Sequence, residues 1–157
     1  MGLLAEGKKA PAFALKDKDG QIIRLSDLED DYIVLYFYPK DNTPGCTLEA
    51  QGFNRDFVKY KKLNALVLGI SGGDEKSKQS FCSKYKLKIL LLSDSDFTIA
   101  QKYGVFGPKK FMGKTYQGIN RTTFVLDKKR QITKVFEKVD PATHSKEVLD
   151  YLNSLSA

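Results

Sequence analysis

The sequence predicts an α/β sandwich in which helices flank a mixed central sheet. Strand-like and helix-like segments alternate through the middle of the chain, and an antiparallel hairpin followed by a helix closes it. Among these segments, Tyr32-Ile33-Val34-Leu35-Tyr36-Phe37-Tyr38 is β-branched and aromatic without alternation, the pattern of a central strand covered on both faces. The 157 residues, 41% of them hydrophobic, suit one domain spanning 1–157 around one sizeable core.

In order, residues 13–15 and 22–25 are short alternating segments on either side of Lys16-Asp17-Lys18-Asp19-Gly20. The Asp-Gly pair signals a tight turn, so an N-terminal β-hairpin is expected. Ser26-Asp27-Leu28 reads as a brief capped helical turn. Pro39 ends the central strand. Beyond the loop 40–45, Ala50, Phe53, Phe57 and Tyr60 recur at spacings of three and four, one face of a helix over 47–63. Residues 65–71 make the next apolar strand, stopped by Gly72-Gly73. Asp74 is placed to cap a helix running to about residue 85, a short strand over 89–92 precedes Ser93-Asp94, and a helix covers about 97–103. The stretch 104–118 contains Gly and Pro and receives no element. Residues 121–127 and 131–137 pair as a hairpin turning at Asp127-Lys128-Lys129-Arg130, and Asp140-Pro141 opens a last helix to about residue 152. That order belongs to the thioredoxin-like class, with the first hairpin as an N-terminal extension.

Composition excludes several functions. No tract is biased enough to be disordered or low-complexity. The longest apolar run is far short of the ~20 residues that span a bilayer, and residues 1–6 lack the regions of a signal peptide. A soluble, cytoplasmic protein with no membrane partner is expected. The net charge of +7 raises nucleic acid as a partner. The lysines, however, fall in separate pairs such as Lys8-Lys9, Lys61-Lys62, Lys109-Lys110 and Lys128-Lys129, which reads as solvated surface and not as a nucleic-acid stripe. Cys46 and Cys82 are too few for a secreted disulfide framework, and with His144 as the one histidine they cannot close a structural zinc site. His144 is expected on the surface of the last helix. No glycine cluster makes a GxGxxG or a phosphate-binding loop, so no metal, flavin, haem or nicotinamide cofactor is expected.

The informative segment is Tyr36-Phe37-Tyr38-Pro39-Lys40-Asp41-Asn42-Thr43-Pro44-Gly45-Cys46-Thr47-Leu48-Glu49, where a buried strand ends in a loop and a cysteine opens a long helix. Reactive groups gather beyond the carboxyl ends of strands in open α/β sheets. In the first helical turn, unpaired N–H groups and the positive end of the dipole favour thiolate over thiol, the form that attacks. A small apolar residue buried under the helix start is the alternative reading of Cys46.

Pro39-x-x-x-Thr43-x-x-Cys46 resembles the Pro-x-x-x-Thr-x-x-Cys signature of the peroxiredoxins, and Thr43-Pro44-Gly45-Cys46-Thr47 is similar to the bacterioferritin comigratory protein, or peroxiredoxin Q, subgroup. Leu68-Gly69-Ile70-Ser71, Leu91-Leu92-Ser93-Asp94, Tyr103-Gly104-Val105, Phe111-Met112-Gly113-Lys114 and Arg121-Thr122-Thr123-Phe124 continue the resemblance, which covers residues 8–126 or so. It implies a thiol peroxidase with Cys46 as peroxidatic nucleophile. Thr43 would offer its hydroxyl to the peroxide, the Cys46 N–H would hold an oxygen, and Arg121 would stabilise thiolate and leaving oxygen together. Pro44 would shield Cys46, with Gly45 and Glu49 in support, Glu49 orienting the Arg121 guanidinium from one turn along the helix. By position alone, Thr43 reads equally as a helix N-cap and Arg121 as a surface ion-pair partner.

Attack on peroxide leaves a cysteine sulfenic acid that a thiol must recycle. Many members of the subgroup carry a second cysteine five residues after the first, where this chain has Gln51; others carry it on the helix before the Leu-Leu-Ser-Asp strand, where Cys82 stands. The resemblance thus implies an intramolecular Cys46–Cys82 disulfide reduced by thioredoxin or a similar dithiol, with hydrogen peroxide and alkyl hydroperoxides as substrates. A one-cysteine peroxidase, or a redox-sensing interaction protein on the same fold, is the alternative. A monomer is expected, an exposed apolar face near Phe106 or Phe111 being where a weak dimer would form.

Overall fold

The computed structural model describes residues 2–155, the side chain of Phe111 excepted. Its strands are β1 (Ala14–Lys16), β2 (Ile22–Arg24), β3 (Tyr32–Phe37), β4 (Ala65–Ser71), β5 (Leu90–Ser93), β6 (Phe106–Phe111), β7 (Lys114–Ile119), β8 (Thr122–Leu126) and β9 (Ile132–Phe136). The helices are α1 (Pro44–Arg55), α2 (Phe57–Lys62), α3 (Glu75–Tyr85), α4 (Thr98–Lys102) and α5 (His144–Leu155). Seven strands form one mixed sheet in the order β2-β1-β5-β4-β3-β8-β9, parallel at β3/β4 and β4/β5 and antiparallel elsewhere. The N-terminal hairpin joins it through Lys16 opposite Ser93. This is the mixed thioredoxin-like sandwich expected.

The unalternating composition of β3 follows from its place at the centre. Val34 and Tyr36 point to one face, packed with Phe53 of α1, Tyr60 of α2, Phe81 of α3 and Val148 of α5. Ile33, Leu35 and Phe37 point to the other, under Tyr103, Ile99 and the N-terminal segment around Phe13. The apolar interior is therefore two layers divided by the sheet, and not the single core expected. Gly69 on β4 belongs to the first layer's construction: a Cβ there would lie 2.7 Å from the Tyr36 ring and from Leu91, so only glycine lets Tyr36 cross the strand.

Several expectations are corrected. The helix expected over 47–63 begins at Pro44 and breaks at Asp56, whose carboxylate leaves the helical pattern to accept from Ser145 Oγ at 2.8 Å. The unassigned stretch 104–118 holds the β6–β7 hairpin, turned by Met112 and Gly113 with φ of 51° and 77°. Residues 140–143 form a turn in which Asp140 Oδ1 accepts from Ala142 N, so α5 starts only at His144. The turn after β2 is a 3-10 helix at Leu25–Asp27 with no side-chain cap. Phe106 is half-buried and stacked on Phe97 at 4.7 Å between centroids, whereas Met112 at the tip of the same hairpin is 88% exposed; the Phe111 side chain lies outside the described residues. No helix among the described residues is long and apolar enough to cross a membrane.

Candidate active site

The loop after β3 delivers the chain to α1 with Thr43 at the N-cap in extended conformation and Pro44 at the first helical position, where a missing N–H costs nothing. The first helical bond runs from Thr47 N to Thr43 O at 2.8 Å. Cys46 N–H, one residue earlier, lies outside the helix ladder. The Thr43 side chain does not cap the helix; its hydroxyl donates to Lys40 O at 3.0 Å. Cys46 is 1% exposed.

Arg121 arrives from the far end of the sequence through sheet register. Thr122 sits opposite Phe37, so the residue before β8 stands beside the end of β3, where the Cys46 loop begins. Its Nη2 donates to Cys46 Sγ at 3.4 Å and its Nη1 to Glu49 Oε1 at 2.7 Å. Burial opposes the charge on Arg121, but Glu49 and Cys46 together lift the guanidinium above its ordinary range, so it stays a cation. Burial also pushes the Glu49 carboxyl up to about 7 against the pull of Arg121. Glu49 Oε2 has no hydrogen-bond partner among the described residues. Gly45 completes the fit, since a Cβ there would lie 3.0 Å from Arg121 Nη2 and 3.6 Å from the Pro141 ring.

Cys82 lies near the end of α3, buried in the same apolar cluster as Cys46, Tyr36, Tyr38 and Phe81. Burial pushes its thiol up. An open cavity of about 400 Å³ is lined by Asn42, Thr43, Pro44, Thr47 and Leu48 on one side and Lys84 and Tyr85 on the other, between the two cysteine-bearing helices.

Three features escaped sequence reasoning. His144 is not surface decoration: it is buried, its Nε2 2.7 Å from Thr123 Oγ1 and its Nδ1 3.0 Å from Glu147 Oε1, behind the strand that follows Arg121. The signal was present, because His144, Val148 and Leu152 recur every fourth residue on the buried face of α5. Lys109, on the unassigned hairpin, donates to Ile119 O at 2.9 Å; burial and the charge of Arg121 lower its ammonium. Lys78 is buried one turn before Cys82 and paired with Asp41. Among the described residues no group of three or more His, Cys, Asp or Glu is arranged to hold a metal ion.

The profile of the AhpC/TSA family matches residues 6–135, a span that holds Cys46, Glu49, Cys82 and Arg121. The chain belongs to the AhpC/TSA family. This AhpC/TSA chain is similar to a putative peroxiredoxin bcp of Coxiella burnetii, 46% identical over 146 residues that cover 93% of this chain and 97% of the relative. It is 41% identical over 150 residues to peroxiredoxin Bcp of Bacillus subtilis, covering 96% of each. Among solved structures, a cysteine variant of Xylella fastidiosa PrxQ superposes with a TM-score of 0.93 at 32% identity, covering 100% of both chains. The Xanthomonas campestris bacterioferritin comigratory protein gives a TM-score of 0.89 at 32% identity, over 98% of this chain and 100% of that one. Membership in this peroxiredoxin group makes the chain a thiol peroxidase.

Proposed function

We propose that the chain reduces hydrogen peroxide and organic hydroperoxides through Cys46, closes a Cys46–Cys82 disulfide within the same chain, and is returned to the dithiol by thioredoxin or a similar reductant. The observation that carries the reading is the Arg121 guanidinium, donating to Cys46 Sγ at 3.4 Å while anchored to Glu49 at 2.7 Å. Cys46 thiolate attacks one peroxide oxygen. The S–O bond forms as O–O breaks, sulfur gives up two electrons, and the leaving oxygen departs with a proton as water or alcohol. Negative charge moves from sulfur to that oxygen beside a fixed cation, which stabilises the transition state more than the ground state. Cys46 N–H is the second donor. Thr43 Oγ1, its own proton given to Lys40 O, accepts the peroxide O–H. Pro44, exposed at the helix start, screens the sulfur from bulk water.

In the second step Cys82 sulfur attacks the sulfenic sulfur. The S–S bond forms, S–O breaks, and hydroxide leaves with the thiol proton as water. A bridge needs Cα atoms within about 7 Å, and both cysteines sit in intact helices, so a helix end opens first. Residence of both thiols in one apolar cluster supports the pairing. The Xanthomonas campestris relative is described for alkyl peroxide reduction, which supports organic hydroperoxides as substrates.

The test is one equivalent of hydrogen peroxide on reduced protein, alkylation of free thiols, and mass mapping of cysteine peptides without reduction. A linked Cys46–Cys82 peptide is expected. Oxygen on Cys46 with Cys82 free would leave a one-cysteine peroxidase, and no change at Cys46 would overturn the assignment of the nucleophile.

A further inference from the structure

We propose that the buried Lys78–Asp41 pair is a latch that fastens α3 to the loop carrying Cys46 and thereby sets how fast Cys82 reaches oxidised Cys46. The proposal rests on the disulfide cycle above and adds the residues that govern its slow step. Lys78 and Asp41 have side chains 0% and 4% exposed. Lys78 Nζ donates to Asp41 Oδ2 at 2.9 Å and to Ser71 Oγ at 2.6 Å; Ser77 Oγ donates to the same Oδ2 at 2.7 Å, and Tyr38 OH donates to Oδ1. One carboxylate thus gathers the end of β3, and through Lys78 the end of β4, onto the first turns of α3. Its position is the loop of Cys46, two residues before Thr43.

The hydrogen bonds of Lys78 and Asp41 do not involve Cys46, Glu49 or Arg121, so the peroxide step does not draw on the pair. Burying two charges costs several kcal/mol that their attraction only partly returns, which makes such a pair a poor device for bulk stability and a good one for an all-or-none contact. Lys78 lies one turn before Cys82 on the same face of α3. On the other side of Cys82 the helix meets the same loop again, through Tyr85 OH donating to the exposed Asn42 Oδ1 at 3.0 Å. Cys82 therefore sits between a buried tie and an exposed one. The exposed tie gives way readily, and the buried one holds the remainder of α3 closed and keeps Cys82 at 5% exposure.

The test is Lys78→Gln, which keeps a donor and removes the charge, with Ser77→Ala as a milder variant that removes one donor from Asp41 at a half-buried site. Two rates are read: peroxide-driven formation of the Cys46–Cys82 linked peptide, and alkylation of Cys82 in reduced, native protein. Both are expected to rise about tenfold in Lys78→Gln, given the cost of unpairing a buried charge, and less in Ser77→Ala, while the second-order rate of Cys46 oxidation stays at the wild-type value. More peroxide should then be needed to drive Cys46 to the sulfinic acid. Phe124→Ala, on the opposite face of the sheet, controls for general loss of stability and should leave Cys82 alkylation unchanged. Should Lys78→Gln not fold, Ser77→Ala carries the test. Wild-type rates of linking and alkylation in the folded variants would overturn the latch alone; no linked peptide in the wild type would overturn the disulfide cycle and the latch with it.

Discussion

Glu49 serves two opposed demands: it must anchor Arg121, and it is buried. Its Oε1 accepts from the guanidinium, while Oε2 is buried with no hydrogen-bond partner among the described residues. With the carboxyl held at about 7 in the fold against an ordinary 4.5, the folded chain keeps a proton between those values that the unfolded chain has released. Its contribution to stability is full below the unfolded value and is lost as pH rises through the folded one. In urea unfolding at about pH 5 and about pH 8, wild type is expected to lose stability relative to Glu49→Gln on going to the higher pH; a constant difference would mean an ionised Glu49 throughout. Arg121 is read by the geometry of its fork. A lysine ammonium is a point charge that cannot hold sulfur and carboxylate from two nitrogens at once. Arg121→Lys should lower the second-order rate constant with hydrogen peroxide by about 10²-fold or more, measured by competition with a haem peroxidase, and a loss under twofold would deny Arg121 its place in the transition state. His144 is subject to the same burial, which lowers its imidazole, with Nδ1 3.0 Å from Glu147 Oε1 and Nε2 2.7 Å from Thr123 Oγ1.

At the scale of the element, the start of α1 is where local chemistry and catalysis meet. Thr43, Pro44 and Gly45 are chosen by the helix terminus and by the guanidinium lying against it. Gly45→Ala suits a helix better than glycine does, yet its Cβ would crowd Arg121 Nη2 at 3.0 Å. The expected outcome is unchanged or slightly raised thermal stability with peroxide reactivity lowered about tenfold or more, since small displacements of a positioned group are costly. Equal losses in both would mean that Gly45 is needed by the fold and not by the site. The N-terminus of α3 behaves more conventionally: Asp74 Oδ1 accepts from Ser77 N at 2.8 Å, and Asp74→Ala should cost about 1 kcal/mol in chemical denaturation.

For the whole molecule, the sheet is a partition with a layer of side chains on each side, and β3 contributes to both. Phe53 on the cysteine face and Phe124 on the opposite face are each fully buried. Phe53→Ala and Phe124→Ala should each cost about 3–5 kcal/mol, and circular dichroism should follow a single transition in both, because the two layers share the strands of one sheet and unfold globally with it. Separate transitions would show layers that unfold independently. The charge of +7 has no comparable centre, and several of its lysines are taken up in ion pairs such as Lys16–Glu75, Lys128–Asp31 and Lys146–Asp150.

Much of what depends on neighbours in sequence was legible in the sequence. The unalternating β3, the Asp74 cap, Cys46 in the first turn of a helix and the one-turn step to Glu49 all follow from local spacing, and the motif around Cys46 made the family resemblance readable. Periodicity says which residues share a face, but not what that face meets. Hence His144 and Lys78, both in step with apolar neighbours on their helices, were passed over: a polar side chain declares itself buried only when its partners, Thr123 and Asp41, are brought from other elements. The break at Asp56 needed Ser145, and the β6–β7 hairpin hid behind a Met-Gly turn without the usual Asn-Gly signal. Arg121 is the clearest case. Resemblance could name it, but only the antiparallel register of β8 on β3 brings it across 75 residues to the sulfur of Cys46, because sheet pairing is a long-range choice that no local pattern encodes.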